Sequence, residues 1–254
     1  MGTEPSRPVI VLVPPSCCGA GYFHRLRRAL PAGIDVVALE LPGHGRRHAQ
    51  EFVTSAPAVV ADALARLDGR VDVVYGESLG AYVGLALAAA LGGQRRPALV
   101  AASNVPPGLQ RVVSAEDVAS PRAAAATLAS MGGAIPGEVL DDPRLLAGAF
   151  PMIRADLLLS RSFVELVATT TVPGDVTVVA GEDDRSLTGL RPGAKRPDPD
   201  GTHRAPSLAY PALAGWARHT TGRCGVELLP GGHLLSESNP SGVAGVLLSA
   251  LNRS

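Results

Sequence analysis

VDVVYGESLGAYVG, residues 71–84, decides the reading of this chain. Four apolar or β-branched residues in VDVVY (71–75) read as a short buried strand, and LGAYVGLALAAAL (79–91) is Ala/Leu-rich and reads as a helix. Between them lies the pattern G-x-S-x-G, as Gly76-Glu77-Ser78-Leu79-Gly80. The five-letter pattern is common, but a strand before it and a helix after it make it specific. A turn this tight needs small flanking residues, which the glycines supply. It lifts the Ser78 hydroxyl clear of the sheet at the start of a helix, where backbone N–H groups can stabilise negative charge.

Outward from this turn the chain alternates strand and helix. PVIVLV (8–13) is a buried strand, followed by a Gly-rich loop and a helix around 21–30. IDVVALEL (34–41) is a second strand, ended by a PGHG turn, and 55–67 is a helix with Ser55 as a candidate cap and Pro57 in its first turn. PALVAAS (97–103) is a further strand. Repeated βαβ units predict a mostly parallel sheet with helices on both faces. From about 105 to 168 no good strand occurs, and several helical stretches read as an inserted cap. DVTVVAG (175–181) and GVELLPGG (225–232) resume the sheet, and SGVAGVLLSAL (241–251) closes the chain as a helix. The expected organisation is a single domain over 1–254, with 1–104 and 169–254 as core, about 105–168 as a helical lid, and 185–207 as a long Pro/Gly-rich loop.

A serine hydroxyl is a weak nucleophile near neutral pH and needs a base. Of the six histidines, only His233, in LLPGGHLLSE, lies just beyond a late strand. Loops after strand C-termini converge on one crevice in an open parallel sheet, so His233 can reach Ser78. His24, His44, His48, His203 and His219 are read as structural or solvated. The imidazole in turn needs a carboxylate to set its tautomer. AGEDDRS offers Glu182, Asp183 and Asp184 at a strand end; Asp184 is the expected partner and Asp183 the alternative. The order Ser, acid, His is that of α/β-hydrolases, which is the fold class expected here. The chemistry expected is acyl transfer to Ser78 and hydrolysis of the acyl-enzyme. One oxyanion donor should be the N–H of Leu79, and the other should come from the loop after the first strand.

Composition narrows the rest. The formal net charge is zero and aromatics are 4%, so neither a basic field nor a base-stacking surface points to nucleic acid. Arg25, Arg27, Arg28, Arg46 and Arg47 are read as solvated surface, with docking of an acidic partner as the alternative. No apolar run approaches the ~18 residues of a membrane span, and MGTEPSRP lacks an apolar signal core, so a cytoplasmic location is expected. Cys17, Cys18 and Cys224 make no disulfide framework and no zinc spacing. No cofactor or metal is expected.

With these residues in place, the chain resembles the type II (editing) thioesterases that accompany polyketide and nonribosomal peptide synthases. VPPSCCGAGYF (13–23) is similar to that family's F-P-H-A-G-G-S-A-x-x-F, with Cys17-Cys18 on the Gly-Gly pair. LELPGHGRR (39–47) is similar to Y-P-G-R-G-x-R, and YGESLGA to the G-H-S-M-G-A turn. The stretch from Leu128 to Phe163 carries a Gly-Gly pair, a V-L-x-D-P step and P-x-x-R-A-D, as that family's lid does. LPGGHLLS matches L-P-G-G-H-F-F. The resemblance implies hydrolysis of acyl thioesters on the phosphopantetheine arm of an acyl or peptidyl carrier protein. It places Ser78, Asp184 and His233 on the family triad and the Ser16 N–H on the second oxyanion donor; a monomer is expected. The chain departs from the pattern at Cys17-Cys18, and at Arg185, where the family has Pro after the acid. The alternative is a pathway-specific α/β-hydrolase acting as an esterase or as a cyclising release enzyme.

Overall fold

The computed structural model describes residues 7–67, 69–93, 96–188 and 211–253. Six parallel strands run through it: β1 (Val9–Val13), β2 (Asp35–Ala38), β3 (Val73–Glu77), β4 (Ala98–Ala102), β5 (Val176–Gly181) and β6 (Cys224–Leu229), in spatial order β2-β1-β3-β4-β5-β6. The fold is that of the α/β-hydrolases. Strand order reverses between β1 and β3, so the loops leaving their C-terminal ends flank one crevice. The register Val13↔Gly76 aligns those two ends.

Alternation along each strand divides the core. Ile10, Leu12, Val73, Tyr75 and Val100 face one layer, which holds α1 (His24–Ala29) and the closing helix Pro240–Leu251. Val11, Val13, Val74, Leu99, Ala101 and Val178 face the other, which holds α2 (Ala56–Leu64), α3 (Leu79–Leu91) and part of α6 (Pro143–Val167). Helix α3 is buried from Leu79 through Ala88, which explains why its sequence is apolar on every side. Ser55 precedes α2 as expected but makes no side-chain cap.

After β4 come α4 (Pro121–Ser130), α5 (Gly137–Asp141) and α6 before β5 begins. Ser120 caps α4, its hydroxyl accepting from the Ala123 N–H at 3.2 Å, and Asp142 caps α6 by accepting from the Arg144 N–H at 2.7 Å. This helical segment has its own small core of Val113, Val118, Leu128, Ile153 and Leu157, against which Met131 and Cys17 pack. The first residues of the expected long loop form a short helix, α7 (Arg185–Thr188); residues 189–210 lie outside the described residues. No helix among the described residues is long and apolar enough to cross a membrane.

One surface reading is corrected. Arg47 is not a solvated cation: its guanidinium donates to both oxygens of Asp62 at 2.6 and 2.8 Å and to the Glu40 carbonyl at 2.9 Å. It clamps the loop after β2 onto α2, a task suited to the planar guanidinium fork.

Candidate active site

Ser78 sits at φ 55°, ψ −120°, a strained conformation for a residue with a side chain. The strain is held by packing. A Cβ on Gly76 would collide with the Gly80 carbonyl, and one on Gly80 with the Val13 carbonyl, so neither glycine tolerates a side chain. The Asn104 amide donates to the Ser78 carbonyl at 2.8 Å and the Ser78 N–H donates to the Ala102 carbonyl at 2.9 Å, pinning the turn to the end of β4.

Three side chains from three strand ends form one hydrogen-bonded chain. His233 Nε2 lies 3.0 Å from Ser78 Oγ, and His233 Nδ1 lies 2.9 Å from Asp184 Oδ2. A carboxylate only accepts, so Nδ1 carries the proton and the Nε2 lone pair faces the serine hydroxyl. Asp184 is the carboxylate beside the imidazole; Asp183 is exposed. Burial alone would raise the Asp184 carboxyl, but hydrogen bonds from His233 and Ser186 outweigh it and hold the group below the usual carboxylate range. Ser186 is a member of the site that sequence reasoning missed. Its hydroxyl donates to Asp184 Oδ1 at 2.7 Å and lies 3.1 Å from His233 Nδ1, and its N–H donates to Oδ1 at 3.0 Å. A Ser two residues after an Asp is the only sequence signal for such a turn.

Behind Ser78 a second carboxyl is fully buried. Glu77 accepts from the Tyr75 hydroxyl at 3.1 Å and from the Ser236 N–H at 3.2 Å. Burial raises its pKa, the opposite of Asp184. Glu77 thereby ties the turn after β3 to the residues following His233.

Ser16 and Leu79 both line a cavity of about 20 Å³ beside Ser78, closed on the far side by Leu128, Met131 and Leu157 from the helical segment. Its size suits about one water. From the same segment Gly132, at φ 90°, lies against His233: a Cβ there would overlap the imidazole. Cys17 holds φ 61°, a left-handed conformation that glycine adopts more readily, and its N–H donates to Asp156 Oδ2 at 2.6 Å. Burial chiefly, with nearby carboxylates, raises both thiols, Cys18 to about 12 and Cys17 further, so neither is a thiolate near neutral pH.

The other histidines divide. His24 and His48 are exposed, His219 is buried with Nδ1 2.9 Å from the Thr170 carbonyl, and His203 lies outside the described residues. His44 is buried, with Nδ1 3.0 Å from the Pro42 carbonyl and Nε2 3.2 Å from Asp156 Oδ2.

Comparison with known proteins gives a consistent picture. The chain is 29% identical over 98% of its length to part of the AMB antimetabolite synthetase AmbE of Pseudomonas aeruginosa, of which it spans 11%. It is 24% identical, over 96% of its length, to a probable cadicidin biosynthesis thioesterase of Streptomyces griseus, of which it spans 62%. Its fold matches that of YbtT, a type II thioesterase from the yersiniabactin NRPS/PKS pathway, with a TM-score of 0.74 at 14% identity, covering 100% of this chain and 96% of that one. The family described as the thioesterase domain matches residues 8–250, and this chain, with a serine at its nucleophile turn, belongs to that family of hydrolases.

Proposed function

We propose that the protein hydrolyses acyl thioesters carried on the phosphopantetheine arm of an acyl or peptidyl carrier protein, within a polyketide or nonribosomal peptide pathway. The observation that carries the reading is the Ser78–His233–Asp184 chain at a strained strand-to-helix turn. Support for the substrate class comes from the biosynthetic thioesterases that the chain resembles.

His233 Nε2 takes the Ser78 proton as Oγ attacks the thioester carbonyl. Asp184 accepts from Nδ1–H and stabilises the imidazolium. The carbonyl oxygen becomes an oxyanion facing the N–H groups of Leu79 and Ser16, at the N-terminal end of α3. On collapse the C–S bond breaks, and the leaving sulfur takes the proton from His233. Water then enters, gives its proton to Nε2 as its oxygen attacks the acyl-enzyme, and the proton returns to Ser78 Oγ as the acid departs. Leu128, Met131 and Leu157 form the lid over this point, and the small cavity beneath them requires the lid to shift before an acyl chain enters.

The test is thiol release from acyl-carrier protein and from short acyl N-acetylcysteamine thioesters. Turnover should vanish in Ser78→Ala, and a fluorophosphonate should label Ser78 in the wild type. Fast turnover of simple esters with no thioester turnover would reject the substrate class. Full activity in Ser78→Ala would reject the mechanism.

A further inference from the structure

Asp156 is 2% exposed and stands on lid helix α6, yet its Oδ2 accepts from a backbone N–H in the loop after β1. That N–H belongs to Cys17, next to Ser16. The same oxygen lies 3.2 Å from Nε2 of His44, which is 3% exposed. Three segments therefore meet at one carboxylate: the oxyanion loop, the loop after β2, and the lid.

The geometry counts protons. The Pro42 carbonyl only accepts, so His44 Nδ1 must carry a hydrogen. Nε2 faces a carboxylate oxygen, and two lone pairs would repel there. A proton on Nε2 satisfies the contact and makes His44 an imidazolium. The surroundings can hold that charge. Glu40, on the same loop, accepts from the Ala20 N–H at 2.7 Å and the Arg46 N–H at 3.2 Å. The Cys17 and Cys18 thiols from the β1 loop are kept neutral by burial. The Phe52 ring meets the imidazole edge-on at 5.6 Å; of the two arginines on this loop, Arg46 is exposed and Arg47 is engaged with Asp62.

We propose that His44 and Asp156 are positioning residues: a buried imidazolium–carboxylate pair that sets the oxyanion loop at Ser16 and makes acyl transfer depend on a proton held away from the reacting atoms. This rests on the mechanism above, in which the Ser16 N–H is an oxyanion donor. A second line of evidence agrees in direction. Burial disfavours charge on His44, but its contacts with Asp156, Pro42 and Glu40 outweigh burial and raise its pKa. With the folded value raised, the pair's contribution is full below the unfolded imidazole value of about 6.5. It is lost as pH rises through the folded value.

The test is the pH dependence of kcat/KM, with an acyl N-acetylcysteamine thioester and, in parallel, a p-nitrophenyl ester. Hydroxide hydrolysis is subtracted using Ser78→Ala. In the wild type the rate should fall in an alkaline limb as pH rises. His44→Gln and Asp156→Asn should each lower kcat/KM at neutral pH by about 10- to 100-fold, as expected when an oxyanion donor is displaced. Both should also abolish the alkaline limb, with circular dichroism unchanged. A merely structural role would lower the rate and leave the limb in place. Wild-type rates in both variants, or an alkaline limb that survives in them, would overturn the proposal. Should both variants fail to fold, the ring ¹⁵N shifts of wild-type His44 decide: two protonated nitrogens at neutral pH are expected, and one bare nitrogen overturns it. The ester arm separates the two readings. Ester turnover without thioester turnover counts against the proposed substrate and leaves the pH comparison intact.

Discussion

The two sides of Ser78 are held by different means. On one side His233 and Asp184 follow β6 and β5, so adjoining strands of the sheet place the imidazole against the serine and the carboxylate against the imidazole. Opposite, the loop after β1 carries Ser16 and is fastened by Asp156, a carboxylate from outside the sheet, through a residue at φ 61°. The base side inherits its geometry from the sheet itself. The β1 loop is instead tied to the helical segment through Asp156. On the mechanism proposed above, a shift of α6 would reach the Ser16 N–H through Asp156.

Substitutions can break this contrast at graded strength. Asp184→Asn should be the most costly on the base side, lowering kcat by about ten-thousand-fold through loss of the correct tautomer. Because its folded pKa is depressed, Asp184 stabilises the fold above about pH 4. That contribution disappears as pH falls through the folded value, so the Asn variant should show a flatter acid limb in thermal melts. Ser16→Pro deletes an N–H and should lower kcat by about 100- to 1000-fold without affecting fluorophosphonate binding to the same degree. Gly132→Val presses the lid into His233 and should cost on the order of 100-fold, the scale of a displacement of about 1 Å. If it instead raised only KM, the lid would not touch the base in the working enzyme. Ser186→Ala should cost about ten- to hundredfold, one hydrogen bond to a charged group, in kcat rather than KM. Replacing Cys17 and Cys18 by glycine should be the mildest change. Relief of left-handed strain, about 1 to 2 kcal/mol, is opposed by lost packing and by greater freedom of the unfolded chain, about 1 kcal/mol. Activity within twofold of wild type is expected, and a tenfold loss would give the thiols a role.

The same contrast explains what could be read from the chain. The strands, helix α3, the Ser78 turn and the place of His233 are encoded by nearby residues: β-branched runs, glycines at fixed offsets, a Gly-Gly-His after a strand. The choice of Asp184 over Asp183 depends on which way the β5 turn bends, and Ser186 decides that by taking both its N–H and its hydroxyl to Asp184. The glycine-like character of the β1 loop is legible in the sequence, but its fastening is not. Asp156 lies 139 positions from Cys17 and 112 from His44, and no local pattern announces a contact between them. His44 was read with the other unplaced histidines, because burial of a polar ring between a loop and an inserted helix leaves no periodic trace. Arg47 was misread for the same reason, since its partner Asp62 belongs to a different element.

The all-parallel sheet also governs when the enzyme comes into being. Every strand pairing needs a crossover, and pairings between distant segments form slowly. Ser78 and His233 are 155 positions apart, and among the described residues β6, which precedes His233, pairs with β5 alone. A chain in which β1 to β4 have assembled already has its strained serine turn but no base. On the proposed mechanism hydrolysis needs β6 in place, so during refolding recovered activity should trail the burial of Trp216.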